Sequence, residues 1–122
     1  MASIPPELAA IDALSTREHD KNIWFGSLAV LAVAHFLDAD SSWGKREANG
    51  LLQDANGRFT GSSMAVKIGL VGGYVAIQDA TVMSGAIGYR GLAGMNAVVT
   101  AIYAVVVARN ITVSRTPRTQ RR

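Results

Sequence analysis

Apolar residues gather in three long blocks, Asn22–Leu37, Met64–Ile87 and Gly91–Ala108, while charged residues crowd the segments between them. A water-soluble domain of this size scatters its apolar positions at helix or strand period among charges, so sustained blocks read instead as membrane-spanning helices. The first and third blocks carry no formal charge. At ~24 Å the first is short for a hydrocarbon core of roughly 30 Å, which predicts a helix running on through Asp38 toward Trp43. Trp24 and Phe25 then sit at one interface and Trp43 at the other. The pattern predicts an all-α integral membrane protein, a single membrane domain over residues 1–122, with spans near 22–40, 64–84 and 90–109 and a basic tail over 110–122.

The connecting segments carry their own signals. Ser3-Ile-Pro-Pro-Glu7 reads as a helix start, with a capping hydroxyl, proline in the first turn and an acid at the positive end of the dipole. Leu8, Ile11 and Leu14 follow at three-residue spacing, which predicts a short amphipathic helix from about Pro6 to Ser15 lying on the membrane surface or on a partner. Between the first two spans, Asn49-Gly50 and Asn56-Gly57 predict turns with positive φ, and Ser62 or Ser63 is placed to cap the next helix. Gly85, Gly88 and Gly91 flank the turn into the third span.

Small residues suggest how the spans pack. Gly69 and Gly73 form a GxxxG pair, and Ala93, Ala97 and Ala101 make an alanine stripe, both spacings that let helix backbones approach closely in lipid.

Charge adds orientation rather than chemistry. The formal net charge is +3, but five of the twelve basic residues, Arg109, Arg115, Arg118, Arg121 and Arg122, lie at the C-terminus. Beyond a span, such a tail is expected to meet anionic lipid head groups and not nucleic acid. Three spans place the tail on the side of Lys45, Arg46 and Arg58, giving eight basic residues there against three opposite. The positive-inside rule then puts the N-terminus outside and the C-terminus inside, in a multi-pass topology expected of a bacterial inner membrane. A two-span hairpin with an interfacial first segment is the competing topology, with the N-terminus inside. Met1 to Lys21 lacks a basic leader followed by an apolar run, so the first span is expected to act as its own insertion signal. The sequence has no cysteine, which excludes disulfides, thiolate metal sites and cysteine nucleophiles.

The densest polar constellation is His35, Asp38, Asp40, Ser42, Glu47, Asn49 and Lys67, near the cytoplasmic end of the first two spans. His35, Asp38 and Ser42 share a helix face, and Lys67 is expected to pair with Asp38 or Glu47 and fix the first helix against the second. Asp79 stands apart, about 18 Å along the helix from Lys67; facing the bundle it implies a proton or ion path, and near a span end it is interfacial. Asp54-Ala-Asn-Gly57 matches the middle of an EF-hand loop, but Leu52 and Ser63 occupy the positions of its first and last acids. Gly69–Gly73 lacks the lysine and hydroxyl of a phosphate loop. No cofactor or metal is expected, and no pairing of nucleophile and base suggests an enzyme.

Asp38-Ala-Asp-Ser-Ser42, Glu47-Ala-Asn49 and then Lys67 resemble the pattern of a small family of bacterial membrane proteins defined only as a domain of unknown function. In that family an Asp near a span end precedes a Ser or Thr, an E-x-N-P turn and a Lys. The resemblance covers residues 29–70 and implies three helices and a shared polar network of Asp38, Ser42, Glu47, Asn49 and Lys67. It implies no activity. The expectation is therefore a noncatalytic accessory or structural subunit of a larger membrane complex, partnered by other membrane subunits or by copies of itself. A phage holin-like pore-former and an ion- or proton-conducting component using Asp79 are the competing expectations.

Overall fold

The computed structural model describes residues 4–45, 47 and 50–114, with three long helices and no β-strand among them. These are α1 (Pro6–Ser42), α2 (Gly61–Met83) and α3 (Tyr89–Ser114), and a single 3-10 turn, Gly50–Leu52, lies between the first two. Asn49, Arg46 and the tail arginines from Arg115 onward fall outside the described residues.

The first helix corrects the expectation of a separate amphipathic helix: α1 runs unbroken for 37 residues, a rod of about 55 Å. Polarity changes between Ser15 and Asn22, yet no glycine or proline occurs from Glu7 to Phe25. A run of charged residues interrupts hydrophobicity without interrupting the backbone. Pro5 is the N-cap and Pro6 opens the helix, where its missing N–H costs nothing, while the carbonyl of Pro5 accepts from Leu8 and Ala9 at 3.1 and 3.2 Å.

The second helix starts at Gly61, three residues earlier than its hydrophobicity suggests, because Thr60 is the N-cap and Ser63 completes a capping box. The Thr60 N–H donates to Ser63 Oγ at 2.9 Å. At the far end Ser84 caps α2 and Gly85, at φ +73°, turns the chain. Gly85 N–H donates to Val82 O at 3.0 Å and Ala86 N–H to Thr81 O at 3.2 Å, the two bonds of a Schellman motif.

Burial follows a 3.5-residue period on all three helices. The inward positions are 20, 24, 27, 28, 31, 34, 35, 38, 39, 41 and 42 on α1, 63, 64, 67, 71, 74, 75, 78, 81 and 82 on α2, and 89, 92, 93, 96, 99, 100, 103, 107 and 110 on α3. That spacing is the seam of a helical bundle. The backbones of α1 and α3 run close together, whereas α2 stands further from both.

Beside a buried apolar set of Trp24, Leu31, Ala39, Phe59, Leu92 and Ala93, the bundle encloses polar side chains and leaves large apolar ones outside. Ser63, Lys67, Gln78 and Asn96 are buried, while Phe36, Ile68, Ile77, Val98, Ile102 and Val105 face outward. α1 and residues Tyr89–Thr112 of α3 are long and apolar enough to cross a membrane, and only 22% and 17% of their apolar windows is buried. A core helix of a water-soluble protein passes the same length and composition criterion but buries most of that surface.

Candidate functional site

Two polar layers cross the interior of the bundle, separated along the helices by roughly 16–21 Å. The first is centred on Asn96, whose exposure is 0%. Its Oδ1 accepts from Gln78 Nε2 at 2.6 Å and from the Tyr74 hydroxyl at 3.0 Å, and its Nδ2 donates to Ser27 Oγ at 2.9 Å. Gln78 Oε1 in turn accepts from Trp24 Nε1 at 2.8 Å. One residue of α3 thereby ties both other helices together, and every amide atom is used. Trp24 packs against Leu92 and Ala93 beneath this layer, with the Tyr89 ring tilted against its own and the centroids 5.3 Å apart. Beyond it, Asp20 lies 3.2 Å from exposed Arg90, an ion pair by distance that lacks the alignment of a hydrogen bond.

The second layer is ionic. Lys67, 4% exposed, reaches from the first turns of α2 and pairs with Asp38 on α1. Asn110 of α3 completes the arrangement, donating through Nδ2 to Ser42 Oγ at 3.1 Å and lying 3.5 Å from both Asp38 Oδ1 and Ser41 Oγ. Tyr103 and Phe59 present their rings to the ammonium, with centroids 5.2 and 5.9 Å from Nζ. His35 packs on Tyr103 with ring centroids 4.1 Å apart. Between the layers, His35 Nδ1 and Thr100 Oγ1 are buried without a hydrogen-bond partner.

A short hairpin covers the ionic layer. Gly44 N–H donates to Phe59 O at 2.8 Å, Phe59 N–H to Lys45 O at 3.0 Å and Glu47 N–H to Gly57 O at 3.0 Å. Asp54 ties its far limb: Oδ1 accepts from the N–H groups of Asn56 and Arg58 at 2.8 and 2.9 Å, and Oδ2 accepts from the Thr60 hydroxyl at 3.2 Å. Those bonds, the Arg58 N–H first and the Asn56 N–H next, hold the Asp54 carboxyl below the ordinary aspartate value. Phe59, 1% exposed, plugs the hairpin into the bundle and meets Trp43 edge-on at 6.0 Å.

The structure thus gathers His35, Asp38, Ser42 and Lys67 in one cluster. Glu47 contributes its backbone to the hairpin, and Asn49 lies outside the described residues. Asp79 is elsewhere, exposed on the outer face of α2 about 6 Å from the helix end, next to inward-pointing Gln78. Gly69 and Gly73 are exposed on α2, with open space where a Cβ would stand. Of the alanine stripe only Ala93 is buried; Ala97 and Ala101 face outward. Among the described residues, Gly69, Gly73, Ala97 and Ala101 therefore pack no helix, whereas Ala93 packs against Trp24 of α1. Of the predicted turns, Gly57 adopts positive φ (+71°), whereas Gly50 opens a 3-10 turn and Gly44 takes the second positive φ of the hairpin (+70°).

Sequence reasoning passed over Asn96, Gln78, Tyr74, Tyr103 and Asn110. The signal was present: Asn96, Gln78, Tyr74 and Tyr103 are polar or amphipathic within apolar blocks, Asn110 follows just beyond one, and all fall on the same 3.5-residue face of their helix. Among the described residues no group of three His, Asp or Glu side chains is placed to hold a metal ion. The chemistry that the layers do support is helix registration through satisfied polar contacts.

Compared with protein-family models, with curated protein sequences and with solved structures, the chain matches none.

Proposed function

We propose that this chain is a small noncatalytic integral membrane protein with three transmembrane helices, serving as an accessory or structural subunit of a larger membrane assembly. The enclosure of polar side chains beneath large exposed apolar ones carries the reading. Asn96, Gln78 and Lys67 are buried and satisfied by partners, while the outer faces of all three helices expose Val, Ile, Leu and Phe. Lipid accepts such a surface at no cost, and water does not.

Dimensions support the same reading. From Asp20 to Asp38 the helix rises about 27 Å, close to a hydrocarbon core of roughly 30 Å, and ionic groups mark both levels. α2 carries Lys67, Gln78 and Asp79 among its apolar residues, and the first two are buried in the bundle. The positive-inside count supports a cytoplasmic side for the hairpin and the arginine tail, which fits a bacterial inner membrane with the tail against anionic head groups. The resemblance to the three-helix family fits the Asp38–Lys67 pair and the approach of Ser42 to it through Asn110. Gly69, Gly73, Ala97 and Ala101, left open on the outer faces, suit close approach by further membrane helices, from partner subunits or a second copy.

Purification of the tagged full chain in mild detergent tests the proposal. A stoichiometric membrane partner, or a discrete homo-oligomer, is the expected result. A monomer that co-purifies with nothing removes the subunit reading, and delayed collapse of membrane potential on induced expression replaces it with pore formation.

A further inference from the structure

We infer that α1 carries the interface of a two-fold homodimer, in which the α1 helices of two copies lie parallel and Lys21 of each copy pairs with Asp79 of the other. The inference deepens the proposed reading and rests on it, since it needs copies that share one bilayer and one orientation.

Besides its inward seam, α1 has a second stripe on its outer side. Leu8, Ile11, Phe25, Ala29, Ala32 and Phe36 fall on a 3.5-residue spacing and are all exposed. That is the spacing of a helix facing another helix along its length. Ser15, Glu18 and Asn22 fill the intervening positions, near the level where the helix leaves the proposed hydrocarbon core.

The stripe crosses that boundary, which limits what can cover it. With Asp20 at the outer edge of the core, Phe25 to Phe36 lies in lipid, whereas Ile11 and Leu8 stand about 14 and 18 Å beyond the edge. Both are more than half exposed, as are Phe25 and Phe36. Lipid tails cover the inner part and do not reach the outer one. A single covering for both parts is a helix that leaves the membrane along the same line, with apolar residues at the same levels. A second α1 meets that condition by symmetry.

Charge points to the same partner. Gly72 of α2 lines a groove of about 320 Å³ with Ala32 and Phe36 of the α1 stripe. Asp79, exposed and about two turns from Gly72 on the same face of α2, therefore borders that stripe. Lys21 stands on the stripe's flank, four residues before Phe25, with Nζ 5.8 Å from the centroid of its ring. The hydrogen bond from Trp24 to Gln78 fixes the relative height of the two helices. Lys21, three residues before Trp24, and Asp79, next to Gln78, thus lie within about one helical turn of each other in level. Among the described residues neither forms an ion pair. A carboxylate on the outer face of a span is costly without a cation. Rotation about an axis along the membrane normal preserves level, so a face that offers an acid and a base at one level satisfies its own copy at two contacts.

The test uses the full chain in phosphatidylcholine vesicles, with donor or acceptor dyes on Asn56→Cys, since the sequence has no native cysteine. Energy transfer measured over a range of lipid-to-protein ratios is expected to follow a monomer–dimer equilibrium. Lys21→Asp and Asp79→Lys each set like charges across the interface and are expected to weaken self-association at least about tenfold. Mixed together, the two variants regain opposite charges at both contacts, and association is expected to return to the wild-type range. That recovery separates pairing between copies from pairing within one chain. Circular dichroism checks that each variant keeps its helicity; if either loses it, cross-linking decides. Under mild oxidation in membranes Ile11→Cys is expected to give a disulfide-linked dimer, and Val98→Cys, exposed on α3, is not. Wild-type transfer no greater than random collision, undiminished association of the single variants, no recovery when helical variants are mixed, or equal cross-linking at the two positions each overturn the inference. Flotation with the vesicles is read separately. A chain that floats and stays monomeric sinks this inference alone and leaves the subunit reading to its co-purification test, while one that does not float sinks the membrane reading with it.

Discussion

Asn96 and Lys67 are single side chains on which the other helices depend. Asn96→Leu removes four hydrogen bonds and leaves the Gln78 amide, the Tyr74 hydroxyl and Ser27 to find other partners. Interhelical hydrogen bonds in membranes average about 0.6 kcal/mol, so a loss of about 1–2 kcal/mol is expected in reversible unfolding with a denaturing detergent. Lys67 differs in kind, because its removal leaves a carboxylate facing low dielectric. Lys67→Met alone is expected to cost about 3–5 kcal/mol, whereas adding Asp38→Asn restores much of that stability, since a matched neutral pair leaves no stranded charge. A double-mutant cycle reads the difference directly. A double-variant loss equal to the sum of the two single-variant losses would show that the pair contributes nothing as a pair.

At the scale of elements, the long first helix and the hairpin make opposite demands on sequence reading. Continuity of α1 through Thr16–Lys21 leaves a charged, projecting helical arm that hydropathy alone reads as a break. Spin labels at Ala10 and Gly26 are expected to give one narrow distance near 24 Å, the rise of sixteen helical residues, and a broad shorter distribution would restore the two-helix arrangement. The hairpin depends on Asp54 as a carboxylate. Its folded value is depressed, so its contribution is present above the ordinary aspartate range and is lost as pH falls through the folded value. Exchange of the Asn56 and Arg58 amides is therefore expected to quicken below that range, and Asp54→Ala should make it fast at every pH.

The three apolar blocks, the Asp38–Lys67 pairing and the turn at Gly57 were legible in the sequence because each rests on local pattern or on opposite charge at span ends. The Asn96 layer was not singled out, because one asparagine in a charge-free block announces nothing until its face is known. The face is set by the inward period of three helices together, and a single helix cannot declare which side its neighbours occupy. For the same reason Ala97 and Ala101 look like an internal seam by spacing, yet the structure turns them outward. Thr60 was missed as a cap because Ser62 and Ser63 stand nearer the first apolar residue, whereas the capping box uses Ser63 from inside the helix.

At the scale of the molecule, the described residues form a bundle that buries Ser63, Lys67, Gln78 and Asn96 while exposing many apolar side chains, and on the proposed reading topology follows from where that exterior would meet lipid. With no native cysteine, single substitutions Ser15→Cys and Asn56→Cys report orientation cleanly. Ser15→Cys is expected to react with an impermeant maleimide added outside intact cells, and Asn56→Cys only after lysis; the reverse pattern inverts the topology. The most direct measurement concerns α2, the helix whose composition alone leaves its span undecided. Spin labels at Ile68 and Ile77, both exposed on its outer face, report collision with oxygen against collision with a water-soluble nickel chelate in reconstituted vesicles. High oxygen access with low chelate access at both positions is expected of a three-span bundle with lipid around it. Chelate access as high as that of a label at Asn56 would place α2 in water and contradict the bundle as a membrane structure.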